Sequence, residues 1–196
     1  MDKFNYWRVL ALVLLIVSSL AYVNWDTQRV AHGRVDSDMQ AVIGALRDKE
    51  ETLNLAMEFG FDPMIVQITR QLASDAIRNS GREPITWRFV RSERDLSYLI
   101  LSIIQTESRG DYRAYNPSGA SGLTQLLFST ARQYDKDLKP GDLFTIPKHL
   151  TIAMEHFVDL LEKYRGNYTL AVLAWNRGSG SVDRVIALGD SPENGY

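Results

Sequence analysis

Apolar residues return every three or four positions along most of this chain, the spacing of one face of an α-helix. Over 36–59, Met39, Val42, Ile43, Leu46, Leu53 and Met57 recur in this way, with Arg47, Asp48, Lys49 and Glu50 between them. Gly60 closes the stretch, and Asp62-Pro63 opens the next in cap-then-proline order. That helix carries Ile65, Ile68, Leu72, Ala76 and Ile77 on one side and stops at Ser80-Gly81. Residues 83–91, with Ile85, Trp87, Phe89 and Val90, read as extended. Ser92 and Asp95 form a capping pair for a helix that ends at Glu107. A loop rich in Tyr, Asn, Pro, Ser and Gly runs to Ser121, and a helix is predicted over 122–134. A longer amphipathic helix covers 147–164, with Leu150, Met154, Phe157, Leu161 and Tyr164 turned inwards and Gly166 at its end. A short apolar helix, 170–175, leads into Asn176-Arg177-Gly178-Ser179-Gly180, and a last helix spans 182–188. The pattern is that of a mainly α protein.

The first residues break this amphipathic rule. Lys3 and Arg8 precede an uncharged apolar run, Val9 to Val23, and Asp26 follows. Basic residues ahead of such a run keep the N-terminus in the cytoplasm and send the rest across the membrane. About 15 residues rise some 22 Å as a helix, short of a bilayer core of about 30 Å. Tyr6 and Trp7 at one end, with Tyr22 and Trp25 at the other, extend the run as paired interfacial belts. An uncleaved anchor over 1–25 is therefore expected. A cleaved signal, using the small residues of Ser19-Leu20-Ala21, is the alternative. Residues 26–60 read as a helical spacer, with a helix packed on the domain as the alternative, and 61–196 as the globular domain.

Composition narrows the function classes. A formal net charge of −2 offers no basic field for nucleic acid. The absence of cysteine rules out disulfides, a thiolate nucleophile and a lipidated cysteine. His32, His149 and His156 lack metal-ligand spacing and read as surface or structural residues, so no metal is expected.

Glu107 is the candidate for chemistry. Leu96, Ile100, Ile103 and Ile104, at about 100° per residue, lie within roughly 60° of its direction on the helix. A carboxyl on the buried face of its own helix is costly to ionise, so it stays protonated towards neutral pH and serves as a general acid. Helix periodicity alone leaves a plainer reading open, in which Glu107 bends out of the helix end into water.

Three clusters carry a resemblance. They are Glu107-Ser108, then Asn116-Pro117-Ser118-Gly119-Ala120-Ser121-Gly122-Leu123-Thr124-Gln125-Leu126, then Ala174-Trp175-Asn176-Arg177-Gly178. In order and approximate spacing they resemble the lytic transglycosylases of the soluble-lytic-transglycosylase type, over about 100 residues. The resemblance implies a goose-lysozyme-like helical domain that cleaves the β-1,4 bond between N-acetylmuramic acid and N-acetylglucosamine in peptidoglycan, leaving 1,6-anhydro ends. One carboxylic acid serves as acid and then base, with help from the substrate's acetamido group and no cofactor.

By motif position, Glu107 is that acid. Ser108 is expected to hydrogen-bond near the scissile sugars, Gln125 to contact sugar substituents, and Asn176 to shape the site. Trp175 is expected to wall it and Tyr115 to stack on a sugar at its rim. Two positions depart from the family's pattern: Thr124 stands where methionine is usual, and Trp175 where tyrosine is usual. An indole only donates, so it cannot replace a phenol hydroxyl in every hydrogen bond. Two alternatives accompany this expectation. One is a hydrolytic muramidase of the same fold, with Asp111 as its nearest second carboxylate. The other is a weakly active peptidoglycan-binding module, partnered with an envelope-spanning or phage assembly. The expected location is the inner membrane, with the domain in the periplasm, or export if the N-terminal segment is cleaved.

Overall fold

The computed structural model describes residues 37, 39–79, 90 and 92–188. The expected anchor over 1–25 and most of the extended stretch at 83–91 lie outside the described residues. Among the described residues, no helix is long and apolar enough to cross a membrane. The chain divides into two compact units, Met1–Glu51 and Thr52–Tyr196.

Helix α1 covers residues 39–59. Its first part, in the first unit, carries exposed Met39, Val42, Ile43 and Leu46. Its last two turns belong to the second unit, where Leu55 and Ala56 enter the core and Arg70 donates to the Thr52 hydroxyl at 2.6 Å. Gly60 ends the helix at φ +69°, a left-handed conformation that favours glycine.

Helix α2, Pro63–Asn79, starts as its sequence dictates: in its first turn the Met64 N–H donates to Asp62 Oδ1 at 2.8 Å. Helix α3, Glu93–Glu107, is capped by Ser92, whose hydroxyl accepts from the Asp95 N–H. Glu93 and Asp95 sit in its first turn, where carboxylates complement the positive end of the helix. Leu96, Ile100 and Ile104 are completely buried and Ile103 nearly so. Each such side chain contributes about 1.5–3 kcal/mol of burial. They meet Ile65, Val66, Leu150, Phe157 and Leu161 in the main core, where α2 packs on α3 and on α5, Ile146–Lys163.

The helix predicted over 122–134 does not form as one element. Residues 122–125 are a turn, Leu126–Leu127 (β2) pairs antiparallel with Ala120–Ser121 (β1), and only Phe128–Ala131 (α4) is helical. The reason is local. Gly122 (φ +74°) and Gln125 (φ +49°) both take left-handed conformations, which no right-handed helix contains. A Cβ at Gly122 would stand 2.3 Å from the Leu143 carbonyl oxygen and 2.6 Å from His149 Nδ1, so the chain passes there only as glycine. The hairpin, α4 and a 3-10 turn at Pro140–Phe144 enclose a second small core of Leu126, Ala131, Leu138, Leu143 and Ile152. Two further helices, α6 (Tyr168–Arg177) and α7 (Ser179–Ala187), pack on each other, and α6 packs on α5.

Candidate active site

A cleft of about 580 Å³ runs between the end of α3, the hairpin, α5 and the α6–α7 junction. Its walls include Glu107, Gln125, His156, Trp175, Asn176 and Arg177. Glu107 is the last residue of α3, half-buried, and burial alone raises its pKa above the usual carboxylate range. Its place at the negative end of a helix acts in the same direction. Among the described residues lining the cleft, Glu107 is the only carboxylate. Asp111 does not line it; its Oδ1 accepts from the Arg113 N–H at 2.9 Å, and its side chain is exposed.

Gln125 is held by its own side chain. Its Nε2 donates to the carbonyls of Ala114, at 3.1 Å, and Gly122, at 3.0 Å. Two carbonyl partners can only accept, so the amide group must face them with its NH₂. The left-handed backbone at Gln125, which costs on the order of 1 kcal/mol or more for a non-glycine residue, is over-determined by these bonds.

Ser108 caps α3 and does not line the cleft. Its hydroxyl donates to the Leu123 carbonyl at 2.6 Å and accepts from the Gly110 N–H, which joins the acid's helix to the Gly122–Gln125 turn. Tyr115 is 65 % exposed and also stands outside the cleft, in an isolated bridge with Ser121. Of the six residues singled out from sequence, the fold therefore brings Glu107, Gln125, Trp175 and Asn176 to one cavity. The Asn176 side chain is exposed at its edge.

Trp175 is half-buried, its ring 5.0 Å from that of His156 and 6.1 Å from that of Phe157. Thr124 is fully buried, and both its N–H (3.0 Å) and its hydroxyl (2.8 Å) meet His149 Nε2. Burial pushes the His149 pKa down to about 4, and the nearby Leu143 carbonyl offsets only part of that.

His156 is among the cleft residues that the sequence reading did not single out. Its Nδ1 lies 2.9 Å from the Tyr134 hydroxyl, which donates to Asp159 Oδ2 at 2.9 Å. Burial first, then Asp159, holds the Tyr134 hydroxyl above the usual phenol range. Burial lowers the His156 pKa, against the pull of Asp159. The sequence signal was faint: His156 and Asp159 share one face of α5 at i, i+3, but Tyr134 is 22 residues away. Among the described residues, no group of three or more His, Cys, Asp or Glu side chains is placed to hold a metal ion.

A mainly helical domain that holds a half-buried acid at a helix end, in one cleft with Gln125, is consistent with a lysozyme-like fold. The family model described as a transglycosylase SLT domain matches residues 90–194, and the chain belongs to that family. The match takes in every cleft residue named above, and it implies a lytic transglycosylase acting on peptidoglycan.

Proposed function

We propose that the protein cleaves the β-1,4 bond between N-acetylmuramic acid and N-acetylglucosamine, with Glu107 as general acid and then base. The observation that supports this reading most directly is the half-buried Glu107 carboxyl, alone among the described residues lining the cleft. Protonated Glu107 gives its proton to the leaving glycosidic oxygen as the bond to the anomeric carbon breaks. The substrate's acetamido oxygen then stabilises the positive anomeric centre, a task for which no second carboxylate is at hand among the described lining residues. The Glu107 carboxylate next takes the proton from the muramic 6-hydroxyl, whose oxygen closes the 1,6-anhydro ring, and the enzyme returns to its starting state.

An inverting hydrolase needs a second carboxylate about 6.5–9.5 Å from the first, with room for water between them. Asp111, exposed and outside the cleft, does not supply it. The binding-module reading is disfavoured because the cleft retains a half-buried acid whose pKa burial raises.

Digestion of purified sacculi, followed by mass analysis of the released muropeptides, tests the reading. Anhydro ends are expected, and they should vanish in Glu107→Gln. Reducing ends would instead mark a hydrolase, and no release a binding module. Location is part of the proposal, because peptidoglycan lies outside the inner membrane: residues 1–25 anchor the domain there. Resistance of the full chain to alkaline carbonate extraction, lost on deleting 1–25, is the expected result.

A further inference from the structure

Tyr134 has one hydroxyl proton and two polar neighbours, each at 2.9 Å. The Asp159 carboxylate oxygen can only accept, so the Tyr134 proton goes there. The contact with His156 is then a hydrogen bond only if His156 Nδ1 carries a proton and donates to the Tyr134 oxygen. That chain of two bonds fixes the imidazole tautomer and leaves Nε2 as a bare lone pair. Nε2 has no hydrogen-bond partner among the described residues, and it is not among their buried orphan atoms. It is therefore solvent-accessible on a ring that borders the cleft. The ring is also clamped, edge-on to Tyr134 at 5.6 Å and tilted against Trp175 at 5.0 Å. An acceptor held this rigidly loses little freedom when a ligand arrives.

We propose that His156 is a substrate-binding residue of this cleft, oriented by Tyr134 and Asp159, that accepts through Nε2 a hydrogen bond from a hydroxyl or acetamido N–H of the glycan. This rests on reading the cleft as the glycan site. Burial keeps the ring neutral, which is the form that accepts. Tyr134 and Asp159 are positioning residues, acting through the ring and not on the sugar.

The test uses the full chain carrying Glu107→Gln, so that a MurNAc-GlcNAc tetrasaccharide binds without being cleaved, with affinity read by calorimetry. Adding His156→Phe keeps an aromatic ring between Tyr134 and Trp175 but removes the acceptor, and should weaken binding about tenfold. Adding His156→Gln, whose carbonyl oxygen reaches towards the Nε2 position, should recover part of that loss. Nitrogen-15 shifts of the His156 ring at neutral pH should report Nδ1 protonated and Nε2 bare, and Tyr134→Phe should mix the two tautomers. Equal affinity with His156→Phe, or a proton found on Nε2, would overturn the role of His156 and leave the glycan reading standing. No binding of the tetrasaccharide to Glu107→Gln with His156 intact would overturn both.

Discussion

Thr124 and His149 form one buried polar joint: the backbone N–H and the hydroxyl of Thr124 converge on the same imidazole nitrogen, at 3.0 and 2.8 Å. A backbone N–H always donates, so Nε2 is the bare nitrogen and Nδ1 carries the proton. Nδ1 has no partner of good geometry. Thr124, one of the two departures from the family's usual residues, thus ties the turn that carries Gln125 to α5. Thr124→Val keeps the N–H and removes the hydroxyl, and should cost about 1 kcal/mol in urea unfolding.

The same joint gives an acid signature. The His149 pKa falls from an ordinary 6.5 to about 4 on folding, so between those values the unfolded chain binds more protons than the folded one. Stability from this group is present above about pH 6.5 and is lost as the pH falls towards 4, by at most about 3 kcal/mol. Urea midpoints measured across that range should drop, and His149→Gln should flatten this part of the slope.

Glu107 has the opposite sign. Its folded pKa is raised above 4.5, so the folded chain holds the extra proton and stability falls as the pH rises from 4.5 through the folded pKa. Glu107→Gln should abolish activity while leaving stability near neutral pH equal or higher, an advantage that disappears towards pH 4.5. Melting curves at both pH values check this. A clear loss of stability with activity retained would assign Glu107 a structural task.

Gly122 and Gly119 both lie in the left-handed region but differ in space. A Cβ at Gly122 collides with the Leu143 carbonyl and the His149 ring, whereas at Gly119 nothing lies within 4 Å. Gly122→Ala should cost about 3 kcal/mol or more and displace Gln125 with loss of turnover, while Gly119→Ala costs only backbone strain of about 1 kcal/mol. Thermal melts of the two variants give the comparison.

Trp175→Ala removes the ring that abuts His156 and Phe157. Stability should fall by roughly 2–3 kcal/mol, as for truncation of a partly buried aromatic, and KM should rise. Trp175→Tyr keeps a ring there and should hold KM near that of the parent. Steady-state turnover of sacculi measures both.

Much of the fold was legible because helix periodicity is a local signal. The buried stripe Leu96, Ile100, Ile103 and Ile104, the Ser92 cap and the Asp62-Pro63 start all stand where spacing put them. The turn at 122–125 was misread as helix. Leu123, Leu126 and Leu127 fit a helical pattern, and the left-handed Gln125 is imposed by carbonyls at Ala114 and Gly122 that sequence spacing does not reveal. His156 escaped for a related reason. Its place in the site depends on Tyr134 and Trp175, which reach it only through tertiary packing.

The Ser108 hydroxyl, bonded to the Leu123 carbonyl, works as a rivet one residue behind the acid. Shifting the helix end that carries Glu107 against the turn that carries Gln125 would break that bond. The spacing between acid and amide is therefore set in part by a hydroxyl that lies outside the cleft itself.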